Sequence, residues 1–113
     1  MKIKDAKVYD LCEVAKLAQA DIQAKYPNVD PIIGISHQLR KAGFAADTLT
    51  IENPLNDTRI IMVLHDNKVE IVDYEFGRIS QDPSFNFTEI KLSELTQQRL
   101  FEMMQNALVS PLN

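Results

Sequence analysis

His65 and Asp66 stand side by side in RIIMVLHDNKVEIVDYEFG, residues 59–77, with Asp73 and Glu75 a few residues further on. An imidazole among carboxylates is the raw material of general acid–base catalysis. His65, Asp66, Asp73 and Glu75 are the only set in the chain with that composition. A nucleophile to go with them is harder to find. There is no G-x-S-x-G elbow, and the single cysteine, Cys12, lies far away in sequence. Asp66-Asn67 also falls between two strand-like runs, and both residue types tolerate the left-handed backbone of hairpin turns. HDNK therefore reads first as a turn joining two strands.

Other chemistries find less support. His37 and His65 are the only histidines, and no H-x-x-x-H, C-x-x-C or calcium-loop spacing occurs. No metal or cofactor is expected. His37 reads as a residue on a solvated helix surface. Cys12 reads as a small buried hydrophobe.

Charge gives the strongest functional hint. The net charge is −4, and residues 66–89 hold six acids against two bases, while the rest of the chain holds ten of each. The whole excess thus lies in one segment. The basic residues are scattered, which argues against nucleic acid, since phosphate binding needs clustered Lys and Arg. An acidic patch instead steers a basic protein partner. Asp66, Asp73, Glu75 and Asp82 are the expected partner-binding residues. This reading favours a binding or accessory module, of the inhibitor or immunity type, over the small enzyme that His65, Asp66, Asp73 and Glu75 would otherwise suggest.

The elements that must position these residues follow from periodicity. The chain has 113 residues, 45% of them hydrophobic and 25% charged, enough for a single domain over 1–113. The lone cysteine and polar N-terminus give no sign of an oxidising compartment or a secretory leader. The longest apolar run is far below the ~20 residues of a membrane span. A soluble cytoplasmic protein is expected.

Asp10 and Glu13 resemble a capping box, and Leu11, Val14, Ala15, Ala18 and Ile22 recur at helical spacing, predicting a helix over 10–25 ended by Pro27. Asp30 and Pro31 suit the start of a second helix over 31–42, with Ile32, Ile35 and Leu39 inward and Gly43 at its left-handed C′ position. DTLTIE alternates as a half-exposed strand. RIIMVLH is apolar on both faces and reads as a central strand. KVEIVDYEF is the next strand, with a bulge between Ile71 and Val72 where its apolar residues change face. FNFTEIKL is a weaker extended segment. Thr96 opens a final helix to Leu108 with Leu100, Met103, Met104, Ala107 and Leu108 inward.

The opening MKIKDAKVYDLCEVAKLAQ resembles the first strand and helix of the acetyl-coenzyme A-dependent acetyltransferase superfamily. That family's Gly-rich pyrophosphate loop has no counterpart, because Gly34, Gly43 and Gly77 never fall at G-x-G spacing. Neither its cofactor nor its activity carries over.

The expected architecture is α+β: two N-terminal helices, an antiparallel meander of three or four strands, and a C-terminal helix packed on the sheet. With few helices to cover a two-faced apolar strand, a homodimer through the open sheet face is a further expectation.

Overall fold

The computed structural model describes residues 3–109. The first two and last four residues of the expected domain lie outside it. Helix α1 (Ile3–Lys25) is followed by strand β1 (Ile32–Ser36), the short helix α2 (Gln38–Lys41), and strands β2 (Ala46–Asn53), β3 (Thr58–His65), β4 (Ile71–Gly77) and β5 (Thr88–Lys91). A 3₁₀ turn over Leu92–Glu94 leads into α3 (Gln97–Met104), whose last turn widens to π geometry over Gln105–Val109. The strands pair in chain order, each antiparallel to the next. The α+β class and the meander are as expected, but one long N-terminal helix replaces two, and the sheet has five strands.

The missing helix is the main correction. Residues 31–42 do not form one helix: Ile32–Ser36 pairs with β2, setting Ile33 against Ile51 and Ile35 against Leu49. The spacing of Ile32, Ile35 and Leu39 suits a helix, yet three β-branched residues and Gly34 are poor helix formers. Pairing with a strand some fifteen residues ahead decides the outcome. Asp30 caps nothing there. Its carboxylate accepts from Gln23 Nε2 at 2.6 Å.

Only α2 remains of that helix, and it ends as Gly43 suggests. Gly43 has φ +98°, its N–H donates to the Arg40 carbonyl, and Phe44 N–H donates to the Leu39 carbonyl. Those two bonds make a Schellman turn. α1, in turn, starts seven residues before the capping-box pattern, as one continuous helix where the acetyltransferase resemblance would require a strand. Glu13 lies on its exposed surface, paired with Lys16 at 3.2 Å.

Both long helices cover one face of the sheet. Val8, Leu11, Ala15, Ala18 and Ile22 of α1 join Leu100, Met103, Met104 and Leu108 against Leu49, Ile51, Ile60, Met62, Leu64, Val72 and Ile90. Thr96 caps α3, its hydroxyl accepting from Arg99 N–H. Near the end of the π turn, the Leu108 carbonyl accepts from Asn53 Nδ2 at 3.0 Å and Asn56 Nδ2 at 2.7 Å. The buried Asn53 amide is thereby satisfied.

No bulge interrupts β4. Ile71 pairs with Lys91, Val72 with Leu64 and Ile90, and the register runs unbroken to Gly77. The change of face disappears because Val69 belongs to the preceding turn, where it is exposed.

The central strand is β3, as its sequence suggests. Ile60, Met62 and Leu64 are buried under the helices, and Val63 is buried on the other face, while Ile61 stays half-exposed. Met62→Ala should therefore lower unfolding free energy by ~2–5 kcal/mol. Ile61→Ala should cost clearly less. Urea titration of both variants checks the order, and equal losses would mean that the two faces are equally covered.

Candidate functional site

Two constellations occupy the same end of the sheet. The first is a polar clasp. Asp47, the second residue of β2, has the parity of Leu49 and Ile51, so its carboxylate turns inward and the residue is only 1% exposed. A buried charge must be matched. Arg40, set at the end of α2 by the Schellman turn, supplies the match. Its Nε and Nη2 donate to the two Asp47 oxygens at 3.1 and 2.7 Å, and its Nη1 and Nη2 donate to Asp66 at 2.8 and 3.0 Å. One guanidinium thus bridges two carboxylates with its planar fork.

His37 completes the clasp. Its Nδ1 lies 2.6 Å from Asp47, and its Nε2 lies 3.1 Å from the Tyr9 hydroxyl. A carboxylate only accepts, so Nδ1 carries the proton, and in the neutral ring Nε2 accepts from Tyr9. His37 is therefore a linking residue between α1 and β2 and not a solvated helix residue. Lys7 Nζ donates to the His65 carbonyl at 2.8 Å. Burial holds the Lys7 ammonium below its ordinary pKa, against the pull of Asp66 and Asp47.

The second constellation is a groove of about 550 Å³ on the sheet face that neither long helix covers. Register places Thr48, Val63 and Asp73 in one row across this face, with Ile61 beside them. Phe44, which follows the Schellman turn, and Phe85 and Phe87, from the 78–87 connection, stand around the same groove. Phe44 and Phe85 remain 62% and 71% exposed. The connection is held over this face by Glu75, whose Oε2 accepts from the Ser84 N–H and hydroxyl at 2.8 and 2.9 Å. The Ser84 N–H holds the Glu75 carboxyl below its usual pKa despite its partial desolvation. Asp57 anchors the start of the connection through Ser80, and Arg59 donates to the Gln81 carbonyl.

The sequence-predicted residues divide accordingly. His65 and Asp73 come together at the groove, with His65 Nε2 3.1 Å from Asp73 Oδ2 and Lys68 on the same oxygen at 3.5 Å. Asp66 is not with them. It lies in the HDNK turn, where Lys68 N–H donates to the His65 carbonyl, and its carboxylate belongs to the clasp. Glu75 shares a face with Asp73 but serves the 78–87 connection. Asp82 lies exposed in that connection. Sequence reasoning missed Tyr9, Arg40, Asp47 and the three phenylalanines. Asp47 carried a signal, since a charge at a core-facing strand position needs a partner.

Chemically, the His65–Asp73 pair is an oriented imidazole beside an apolar groove. Thr48 is the only hydroxyl among the groove-lining residues, and no cysteine or lysine joins them. Among the described residues, no group of three or more His, Cys, Asp or Glu side chains is arranged to hold a metal ion. No helix among them is long and apolar enough to cross a membrane. No family model matches the chain, no curated protein is detectably similar to it, and no solved structure matches it.

The clasp makes stability depend on pH with a definite sign. Burial alone would raise the Asp47 carboxyl, but hydrogen bonds from Arg40 and His37 outweigh it and hold its pKa below the ordinary value. The unfolded chain then takes up this proton first as pH falls. The stability is fully present above about pH 4 and is lost as pH drops through the lower folded value. Asp47→Asn should be less stable than wild type at neutral pH and should lose stability less steeply below about pH 4. Asp57 and Glu75, also held low, leave a residual slope. Denaturant midpoints across this range test the point, and an unchanged acid slope in the variant would remove Asp47 from the acid response.

Proposed function

We propose that this chain is a small soluble cytoplasmic binding module that engages a protein partner through the open face of its sheet. The observation that carries the reading is the groove, about 550 Å³ in volume and walled by Phe44, Phe85, Phe87, Ile61 and Val63. Exposed apolar clusters of this kind mark interaction sites, and aromatic side chains are favoured anchors within them. Acidic groups beside the groove, Asp73, Glu75, Asp82 and Glu89, together with Asp66 in the neighbouring turn, favour a partner segment that is apolar at its centre and basic at its edge. Asp66, Asp73 and Glu75 already hold internal bonds, and Glu89 is paired with Lys68 at 3.1 Å, so Asp82 carries more of the steering.

One observation favours a second reading, a small enzyme. His65 and Asp73 are hydrogen-bonded and border the same groove. In that reading Asp73 orients the imidazole and His65 moves a proton on a ligand in the groove.

Thr48→Trp fills the groove from a half-exposed position on β2. Asp82→Lys reverses an exposed charge in the 78–87 connection and leaves the Glu75–Ser84 and His65–Asp73 bonds in place. A partner captured on the wild-type chain should bind Thr48→Trp at least ~10-fold more weakly, a loss of about 1.4 kcal/mol. The charge variant should associate more slowly and with a flatter salt dependence. His65→Ala should weaken binding far less than Thr48→Trp does. Wild-type binding by both the Trp and the Lys variants, each folded by circular dichroism, would sink the binding reading. An activity abolished by His65→Ala would instead establish the enzyme reading. A second copy of the chain closing over this face is the competing occupant. It predicts a wild-type dimer that Thr48→Trp turns into a monomer.

A further inference from the structure

The two edges of the sheet are built differently. β5 is short, and its four residues include Glu89 and Lys91. Short, charged edge strands resist pairing with other chains. β1 has the sequence IIGIS, with no charge and no proline, and among the described residues no strand pairs with its outer side. Ile33 and Ile35 face the helices but are only half-buried, whereas Ile51 and Leu49, their partners on β2, are 0% exposed. Ile32, on the opposite face, is 53% exposed. The apolar layer under α1 thus stops short at this edge.

We infer that β1 pairs antiparallel with β1 of a second copy, about a twofold axis at Gly34, joining two sheets into one of ten strands. The strand is complementary to itself in this register. Gly34 meets Gly34 of the second copy, Ile33 meets Ile35, and Ile32 meets Ser36. The two Ile33–Ile35 pairs extend the layer beneath the helices across the axis, so the half-buried isoleucines gain their missing neighbours. Charge fits as well. β1 itself carries no charged side chain, so no like charges oppose within the paired strands. An isologous contact of this kind closes after two copies and leaves the short, charged β5 strands as the outer edges. The pairing goes beyond the groove reading and does not rest on it, because β1 lines no part of the groove.

Gly34 offers a direct test. A Cβ there would stand 3.4 Å from Thr50 Oγ1, an ordinary contact, so a side chain is accommodated within the monomer. Wild type at high micromolar concentration should scatter light with twice the 12.9 kDa chain mass. Gly34→Lys and Gly34→Glu each set like charges across the axis and should each be monomeric, with unchanged circular dichroism. Mixed in equal amounts, they should regain the dimer mass. Register is read with Ile32→Cys and Ser36→Cys chains in a Cys12→Ala background. Mild oxidation should link the two kinds of chain to each other far more than either to itself. A wild-type monomer would overturn the inference. So would a dimer that persists in both charged variants. Loss of groove binding in Thr48→Trp with the dimer intact separates this inference from the proposed function.

Discussion

A single guanidinium sets the geometry of one end of this molecule. Arg40 donates to Asp47 and Asp66 at once, and through them ties α2 to the start of β2 and to the turn after β3. His37 and Tyr9 carry the connection to α1, which also reaches β3 through Lys7 and the His65 carbonyl. Four elements therefore meet around one buried carboxylate. Desolvating a charge pair is costly, and the arrangement is favourable because nearly every lone pair and N–H in it is matched. Removing one member strands the others. The four residues of α2 would not form a helix in isolation. They are held by the Schellman turn on one side and by this network on the other.

The same construction explains why the two faces of the sheet differ. The helix face is mostly apolar and is covered by α1 and α3 up to the β1 edge. The open face is covered piecemeal, by Phe44 where the chain leaves α2 and by the 78–87 connection. Glu75, Asp57 and Arg59 fasten that connection to the strands beneath it. A carboxylate that looks like part of an acidic surface in sequence therefore works as a fastener, and the groove beneath Phe85 exists because of it. The clasp fixes one wall of the groove through Phe44 and the other end through His65, so the shape of the open face depends on both polar assemblies.

Much of the scaffold was legible from residue patterns. Alternation over 47–52 marked β2, the HDNK turn ended β3 at His65, Gly43 took its left-handed turn, and Thr96 capped α3. Each of these is a local signal. The helix expected over 31–42 was not local: Ile32, Ile35 and Leu39 fit a helix, and only pairing with β2 makes Ile32–Ser36 a strand. The candidate site followed the same division. Asp73 sits diagonally across the hairpin from His65, so the register around HDNK brings them together. The clasp depends on contacts among residues 7–66, and the groove on a connection folding back over its own strands. Neither has a signature within one element.

The Leu108 carbonyl, held by Asn53 and Asn56, has a consequence for how the chain reaches this state. Adjacent strands joined by short connections make contacts of small sequence separation, and such pairings form early and quickly. The amide bonds to Leu108 span 55 and 52 residues. The contacts of α3 with α1 span still more, as in the bond from Gln97 to Asp21 across 76 residues. The entropy of closing those long loops must be met before the helix layer exists. A nascent chain would therefore carry an assembled meander whose apolar face is only partly covered, by α1, until residues 97–109 arrive. The two asparagines mark where the last element locks, and the closing step of folding lies at the hairpin tip, at the opposite end of β2 and β3 from the clasp.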